Sequence, residues 1–165
     1  MKRSVNKGFT IVEIVIVMLI ISILTVVAIP AYQGYSVRAR VTELVLATSA
    51  CKSMVQEVVQ FSKGGSLPGQ DQWGCENISG GPVTTKYVSS VTVDQNGVIT
   101  VEGNATELGL DVASQNRLRM VPYLESNIPL SYTDVGEVVA IWRCGPAPAP
   151  NGIASRYLPS SCRES

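Results

Sequence analysis

The feature that most constrains this chain is an apolar run over residues 9–29. Its polar side chains are Thr10, Glu13, Ser22 and Thr25. The run contains no glycine or proline, and Pro30 comes directly after it. At about 1.5 Å of rise per residue, a helix of this length can cross a hydrocarbon core of roughly 30 Å. An ionised carboxylate is costly there unless a partner meets it, so Glu13 is a candidate functional residue.

A short basic segment, residues 1–8, precedes the apolar run. Its cations are Lys2, Arg3 and Lys7. By the positive-inside rule they hold this end in the cytoplasm and direct the remaining chain outward. A secretory signal is cut after its apolar region, whereas the good candidate here, Gly8, lies before it. Cleavage at Gly8 leaves the apolar helix on the mature protein as an anchor; the alternative is an uncleaved signal-anchor.

Composition narrows the function classes. The chain has 165 residues, enough for one domain beside the membrane segment, and its formal net charge is zero. It contains no histidine, and no nucleophile elbow, phosphate-binding glycine loop or zinc-ligand spacing occurs. We therefore predict no enzyme, no catalytic residue, no cofactor and no metal site. Four cysteines follow the apolar run, which in an exported domain indicates two disulfides rather than a redox site.

The helix is predicted to continue beyond Pro30 to about Ser62. Proline removes one backbone hydrogen bond, so we expect a kink or local melting over residues 28–30, with a helix end at Ile29 as the alternative. Beyond it an apolar stripe of helical period begins. Its members are Val37, Val41, Leu44, Thr48, Cys51, Val55 and Val58, joined by Val45, Met54 and Val59.

The region after the helix reads as a loop and then a sheet. Glycine and proline mark residues 63–84 as loop. Four strands are predicted, over residues 87–93, 98–102, 117–123 and 136–144. The first two flank Asn96-Gly97, a strong hairpin signal, and Pro122 suggests a strand end or edge. An antiparallel sheet needs a cover on its apolar face, and the amphipathic helix provides it, which gives an α+β roll.

At this point the sequence resembles a known family, the type IV pilins. The resemblance lies in Lys7-Gly8-Phe9-Thr10 followed by Glu13, and in Ala28-Ile29-Pro30-Ala31-Tyr32 at the end of the apolar run. It implies the pilin fold: a long N-terminal helix on a roughly four-stranded antiparallel sheet with a disulfide-closed C-terminal loop. It also implies cleavage between Gly8 and Phe9 by a prepilin peptidase and N-methylation of Phe9. Glu13 would then neutralise the Phe9 ammonium of a neighbouring subunit during assembly, with Pro30 as a second assembly residue.

The resemblance divides the chain into three parts. Residues 1–8 are the leader, 9–35 the transmembrane and filament-core helix, and 36–165 the periplasmic or extracellular domain. That domain comprises a helix half (36–62), a variable loop (63–84), a sheet (85–144) and a C-terminal loop (144–165).

The C-terminal motifs, Trp142-Arg143-Cys144 and residues 157–163, resemble a pilin C terminus. That resemblance implies the disulfides Cys144–Cys162 and Cys51–Cys75. The residues alone leave three connectivities open.

The function implied is that of a homo-oligomeric helical filament subunit, held in the inner membrane before assembly and located in an extracellular pilus afterwards. Adhesion, twitching motility and DNA uptake are the roles that the family implies. Two alternatives stay open: a minor pilin that binds DNA or a surface, and a pseudopilin of type II secretion. A basic patch of Arg143, Arg156 and Arg163 is the candidate DNA site, against the alternative of solvated arginines near Glu137 and Glu164. Ser165 is a candidate glycosylation site.

Overall fold

The computed structural model describes residues 8–77, 85–125 and 127–163. Residues 1–7, most of the leader, and residues 78–84, the last third of the predicted loop, lie outside these ranges. Two compact units follow from the contacts, Met1–Ser36 and Val37–Ser165, the second called here the globular unit.

Helix α1 spans Ile11–Phe61, and Pro30 lies inside it. The alternative of a helix end at Ile29 is therefore wrong, and residues 28–30 are helical. Pro30 has no N–H to donate, so the carbonyl of Val26 lacks its usual helical partner. The kink at this point stays a prediction.

The buried stripe of α1 follows the predicted helical period. Its buried members are Val37, Val41, Leu44, Thr48, Cys51, Val55 and Val59. Val59 takes the place that we expected for Val58, which is only partly buried. Thr48 can lie in an apolar core because its hydroxyl donates to the carbonyl of Val45 at 2.7 Å.

Within the described residues the sheet has five antiparallel strands, one more than the roughly four predicted. They are β1 (Val88–Val93), β2 (Ile99–Gly103), β3 (Arg117–Glu125), β4 (Ile128–Pro129) and β5 (Ile141–Pro146). Met120 pairs with both Ile99 and Cys144, so β2 and β5 flank β3 on opposite sides. Tyr123 pairs with both Pro129 and Ile141, which places β4 on the side of β2. The strand prediction from the sequence did not include β4, which has only two residues.

The hairpin between β1 and β2 is confirmed. The Asp94 carboxylate accepts hydrogen bonds from the backbone N–H groups of Asn96 and Val98, at 2.8 and 2.9 Å. Gly97 adopts a φ of 71°, a conformation that glycine reaches at no steric cost. This is the turn chemistry that Asn96-Gly97 indicated.

The prediction for the fourth strand, residues 136–144, was wrong at both ends. Gly136 has a φ of 79° and donates its N–H to the carbonyl of Val59 at 2.9 Å, so the segment starts against the end of α1, and it reaches the sheet only where Ala140 donates to the carbonyl of Tyr123 at 3.0 Å. The strand runs on to Pro146, through Gly145.

Pro122 was expected at a strand end or sheet edge, and the structure places it, buried, inside β3. It pairs there with Trp142 of β5. Proline is tolerated because the pairing with β2 has ended at Met120, and the carbonyl of Pro122 accepts from the N–H of Leu130 at 3.0 Å. The missing N–H of Pro122 faces this same side, since the N–H and C=O of one strand residue point the same way.

The predicted C-terminal loop, residues 144–165, contains two 3-10 turns among its described residues, Ser155–Tyr157 and Ser160–Cys162, which were not predicted. A short helix α2, Ala105–Leu108, was also not predicted. Disulfides join Cys51 to Cys75 and Cys144 to Cys162, the pairs that the resemblance implied. The first ties the loop to α1, and the second ties the C-terminal segment to β5.

Candidate assembly site

The first turn of α1 is capped by Thr10. The N–H of Ile14 donates to the carbonyl of Thr10 at 3.4 Å, and the N–H of Glu13 donates to the Thr10 hydroxyl at 3.3 Å. Thr10 is therefore the N-cap, and Glu13 stands three residues later, the arrangement of a capping box. Our sequence reasoning missed this role, although Thr10-Ile11-Val12-Glu13 carries the pattern. A carboxylate in the first turn is also favoured by the helix dipole.

The Gly8–Phe9 junction lies in irregular backbone just before the helix. Phe9 is 78% exposed, and a Cβ atom added at Gly8 would meet nothing within 4 Å. Cleavage at this junction and methylation of Phe9 stay predictions, and both need the accessibility that these residues have.

The first half of α1 presents an unbroken apolar surface. From Ile11 to Ile29 each large hydrophobic side chain is about half exposed or more. The two hydroxyl side chains within this surface are satisfied by the helix itself, because Ser22 donates to Met18 and Thr25 to Ile21, both at 2.7 Å. By length and composition α1 could cross a membrane.

Glu13 is the only charged side chain between residues 8 and 37. Its side chain is exposed, and within the described residues no salt bridge involves it. The site thus combines a large apolar surface with a single acid in the first turn of α1. Such a surface can be covered by lipid or by other copies of the same helix, and the acid needs a cation in either setting.

The three candidate DNA-binding arginines have separate partners. Arg143 stacks on the Tyr123 ring, 4.6 Å from its centroid, and donates to Asn127 at 3.2 Å. The Nε of Arg163 donates to the carbonyl of Leu158 at 3.0 Å. The guanidinium groups of Arg143 and Arg163 are thus held in place by contacts within the globular unit.

Arg156 belongs to a small exposed network. Its guanidinium pairs with Asp111 and lies 4.8 Å from the centroid of the Tyr157 ring, while its carbonyl accepts from Arg38 at 2.9 Å. The hydrogen bond from the Tyr157 hydroxyl, and then the charge of Arg156, hold the pKa of Asp111 below its ordinary value. The acidic partner of Arg156 is thus Asp111, rather than the expected Glu137.

Ser165, the candidate glycosylation site, and Glu164, one of the acids expected near the arginines, lie outside the described residues. Within them, no group of three or more His, Cys, Asp or Glu side chains could hold a metal ion.

Comparison with known proteins agrees with this arrangement. A family model described as Pilin (bacterial filament) matches residues 37–163. A second model, the prokaryotic N-terminal methylation motif, matches residues 3–29. The two together cover both units of the chain.

Curated relatives match over nearly the full length. A fimbrial protein of Neisseria meningitidis serogroup B is 30% identical over 185 residues, which cover 98% of this chain and 96% of that protein. The fimbrial protein EcpC of Eikenella corrodens is 32% identical, with 99% and 94% covered. The type IV major pilin protein PilE of Neisseria gonorrhoeae is 28% identical, with 98% and 96% covered.

A solved structure shows the same fold. The crystal structure of a type IV pilin from Pseudomonas aeruginosa aligns with a TM-score of 0.54 at 22% identity, covering 78% of this chain and 98% of that one. The long N-terminal helix, the antiparallel sheet and the disulfide Cys144–Cys162 form the pilin fold. The chain therefore belongs to the type IV pilin family, whose members are structural subunits of type IV pili.

Proposed function

We propose that this chain builds a surface fibre used for adhesion, twitching motility or DNA uptake. The observation that carries this proposal is the exposed apolar surface of α1 with its single acid, Glu13. Before assembly lipid covers this surface in the inner membrane; in the fibre the helices of other copies cover it.

The leader controls the change between these two states. A prepilin peptidase at the cytoplasmic face cuts between Gly8 and Phe9, and the new amino terminus of Phe9 is methylated. The Phe9 ammonium then pairs with Glu13 of a neighbouring copy. Both charges lie in the apolar filament core after assembly, and a buried charge is tolerable only when its partner is present.

The domain scheme follows from the same proposal. Residues 1–8 are the leader, 9–35 the anchor and later the filament core, and 36–165 the exported domain. The buried stripe of α1 begins at Val37, and the compact units divide after Ser36, which supports a division close to residue 36.

The deciding experiment deletes the gene and complements it with the unchanged chain, with Glu13→Val or with Glu13→Asp. We expect electron microscopy and sheared-fibre blots to find fibres with the unchanged chain and almost none with Glu13→Val. Mass spectrometry of the membrane pool should show that Glu13→Val is inserted, with methylation of Phe9 reduced. Glu13→Asp keeps the charge and should retain part of the assembly. Normal fibre number and length in the deletion strain would exclude the role of main subunit.

DNA binding is the second candidate, in a minor subunit specialised for uptake. Arg143 and Arg156 each lie over a tyrosine ring, and cations beside aromatic rings suit single-stranded nucleic acid. Against it, Asp111 offsets the charge of Arg156, and Arg156 lies beside Arg38 whereas Arg143 lies beside Asn127, so these two arginines do not form one patch. A filter-binding titration at rising salt tests it, with Arg143, Arg156 and Arg163 changed to alanine as control. If the unchanged chain does not bind DNA, or if the triple alanine variant binds it equally well, this role is excluded.

A pseudopilin of type II secretion is the third candidate, and the C-terminal loop closed by Cys144–Cys162 argues against it, since many major pseudopilins lack such a loop. Secretion in the deletion strain separates the two. A secretion defect with normal surface fibres would favour the pseudopilin.

A further inference from the structure

The globular unit has two ends, set by the direction of α1. At the base, where the buried stripe of α1 begins, Arg38 donates to the carbonyl of Arg156 at 2.9 Å, and Arg40 donates to that of Glu107 at 3.1 Å. At the distal end Gly136 donates to Val59 at 2.9 Å. From Val37 to Val59 the helix rises about 33 Å.

The base carries an excess of positive charge. Its cations are Arg38, Arg40, Lys86 and Arg156. Its anions among the described residues are Glu43, Glu107 and Asp111, and two of them are paired: Lys86 with Glu107 at 3.1 Å, and Arg156 with Asp111. Arg38 and Arg40 donate to carbonyl oxygens, and no salt bridge among the described residues involves either of them.

The distal end carries an excess of negative charge. Among the described residues its anions are Glu57, Asp94, Glu125, Asp134 and Glu137, against the cations Lys63 and Arg143, on the end of α1, the first hairpin and the turns after β3. Glu125 and Glu137 are exposed, and no salt bridge within the described residues involves either of them.

The distal end also exposes large apolar side chains. They are Phe61 (73% exposed), Ile128 (51%), Tyr132 (48%), Val138 (62%) and Ile141 (38%). Single exposed apolar residues are normal on a protein surface, but five at one end, with glutamates beside them, match the apolar centre and polar rim of an interface. The base offers Val112, 46% exposed, among its cations.

We propose that the acidic, apolar distal end of one copy contacts the cationic base of another copy along the fibre. This inference rests on the proposed function as a fibre subunit. Because the two surfaces differ, the contact is heterologous and repeats without closing, as a filament requires. Charge complementarity sets which ends meet and keeps like ends apart, while the apolar side chains supply the buried area.

The test uses the full chain in cells that lack the native gene, and measures sheared fibres against the membrane pool. The distal variant combines Glu125→Lys with Glu137→Lys, and should lower fibre yield about tenfold or more, since like charges then face each other across the contact. Adding Arg38→Glu with Arg156→Glu to the same chain should restore fibres, because the two ends are again complementary. The swap of Lys86→Glu with Glu107→Lys keeps the net charge of the base and serves as the matched control, with fibres expected at the unchanged level.

Three outcomes are decisive. Unchanged fibre yield in the distal variant, in a strain where Glu13→Val abolishes fibres, would overturn the contact and leave the proposed function standing. No fibres from the unchanged chain would remove the function and the contact together. If the distal variant is absent from the membrane pool, the variant that combines Glu125→Gln with Glu137→Gln replaces it. A fibre yield of this variant equal to that of the unchanged chain, at low and at high salt during shearing, would likewise refute the contact.

Discussion

Gly152 is the position at which the structure leaves least room for a side chain. It lies opposite Arg117 at the start of β3, where the C-terminal segment crosses. A Cβ atom there would overlap the carbonyl oxygen of Ala147 and come within 3.0 Å of Pro146 Cβ. Both neighbours belong to backbone or to a rigid ring, so the Gly152→Ala variant must move one of the two chain segments.

The movement disturbs three backbone hydrogen bonds to Arg117. Arg117 donates to Asn151 at 3.0 Å, and its carbonyl accepts from Ala147 at 3.2 Å and Ile153 at 3.0 Å. Losing one or two of them at about 1 kcal/mol each, with about 1–2 kcal/mol for overpacking, gives a loss of roughly 2–4 kcal/mol. For a unit of this size that lowers Tm by roughly 6–12 °C.

The assay is thermal unfolding of the detergent-solubilised full chain, followed by near-ultraviolet circular dichroism of its tryptophans. The matched control is Gly65→Ala, because a Cβ atom at Gly65 meets nothing within 4 Å and the backbone has no left-handed φ. We expect the control to change Tm by less than about 2 °C. A Gly152→Ala variant as stable as this control would refute the account of close packing at Arg117.

Three further predictions concern local contacts. The Tyr157 hydroxyl is the chief cause of the lowered pKa of Asp111, so the ionised Asp111 stabilises the folded state at neutral pH. That stability is lost as the pH falls below about 4 towards the lower folded-state pKa. Asp111→Asn should therefore be less stable at pH 7, and its melting temperature should depend less on acid pH. Thr10→Val removes the N-cap of α1 and should cost about 1 kcal/mol, seen as faster hydrogen exchange of the first-turn amides in micelles. Thr10→Ser keeps the hydroxyl and should exchange at the rate of the unchanged chain. An unchanged rate in Thr10→Val would exclude the cap. Replacing Cys144 and Cys162 together by alanine opens a loop of sequence separation 18 and should cost about 3 kcal/mol in denaturant melts, a loss that reduction of the unchanged chain should reproduce in part.

Local signals predicted the elements that depend on neighbouring residues. The stripe from Val37 to Val59 lies within one helix, so its 3.6-residue period is visible in the sequence. Asn96-Gly97 indicated its hairpin for the same reason, since the turn needs only the residues within it. The N-cap at Thr10 is equally local, since its pattern lies within residues 10–13.

Signals for the last strand were misleading because partners distant in sequence decide it. Residues 136–140 have strand-like composition, but Gly136 binds the end of α1, and pairing with β3 begins only at Ile141. Pro122 shows the converse, since a proline fits within a strand where the neighbour on its N–H side has ended. The two-residue strand β4 is too short to have a period at all.

Composition and spacing within single segments predict the long apolar helix, its single acid, the amphipathic continuation and the first hairpin, because hydrophobic burial and turn chemistry act locally there. The uneven charge at the two ends of the globular unit arises from the fold, because Arg38 and Arg156 are 118 positions apart in the chain and meet only when the C-terminal segment folds against α1. The same holds for the crowding at Gly152, since the sequence records a glycine and the fold alone shows what a side chain there would strike.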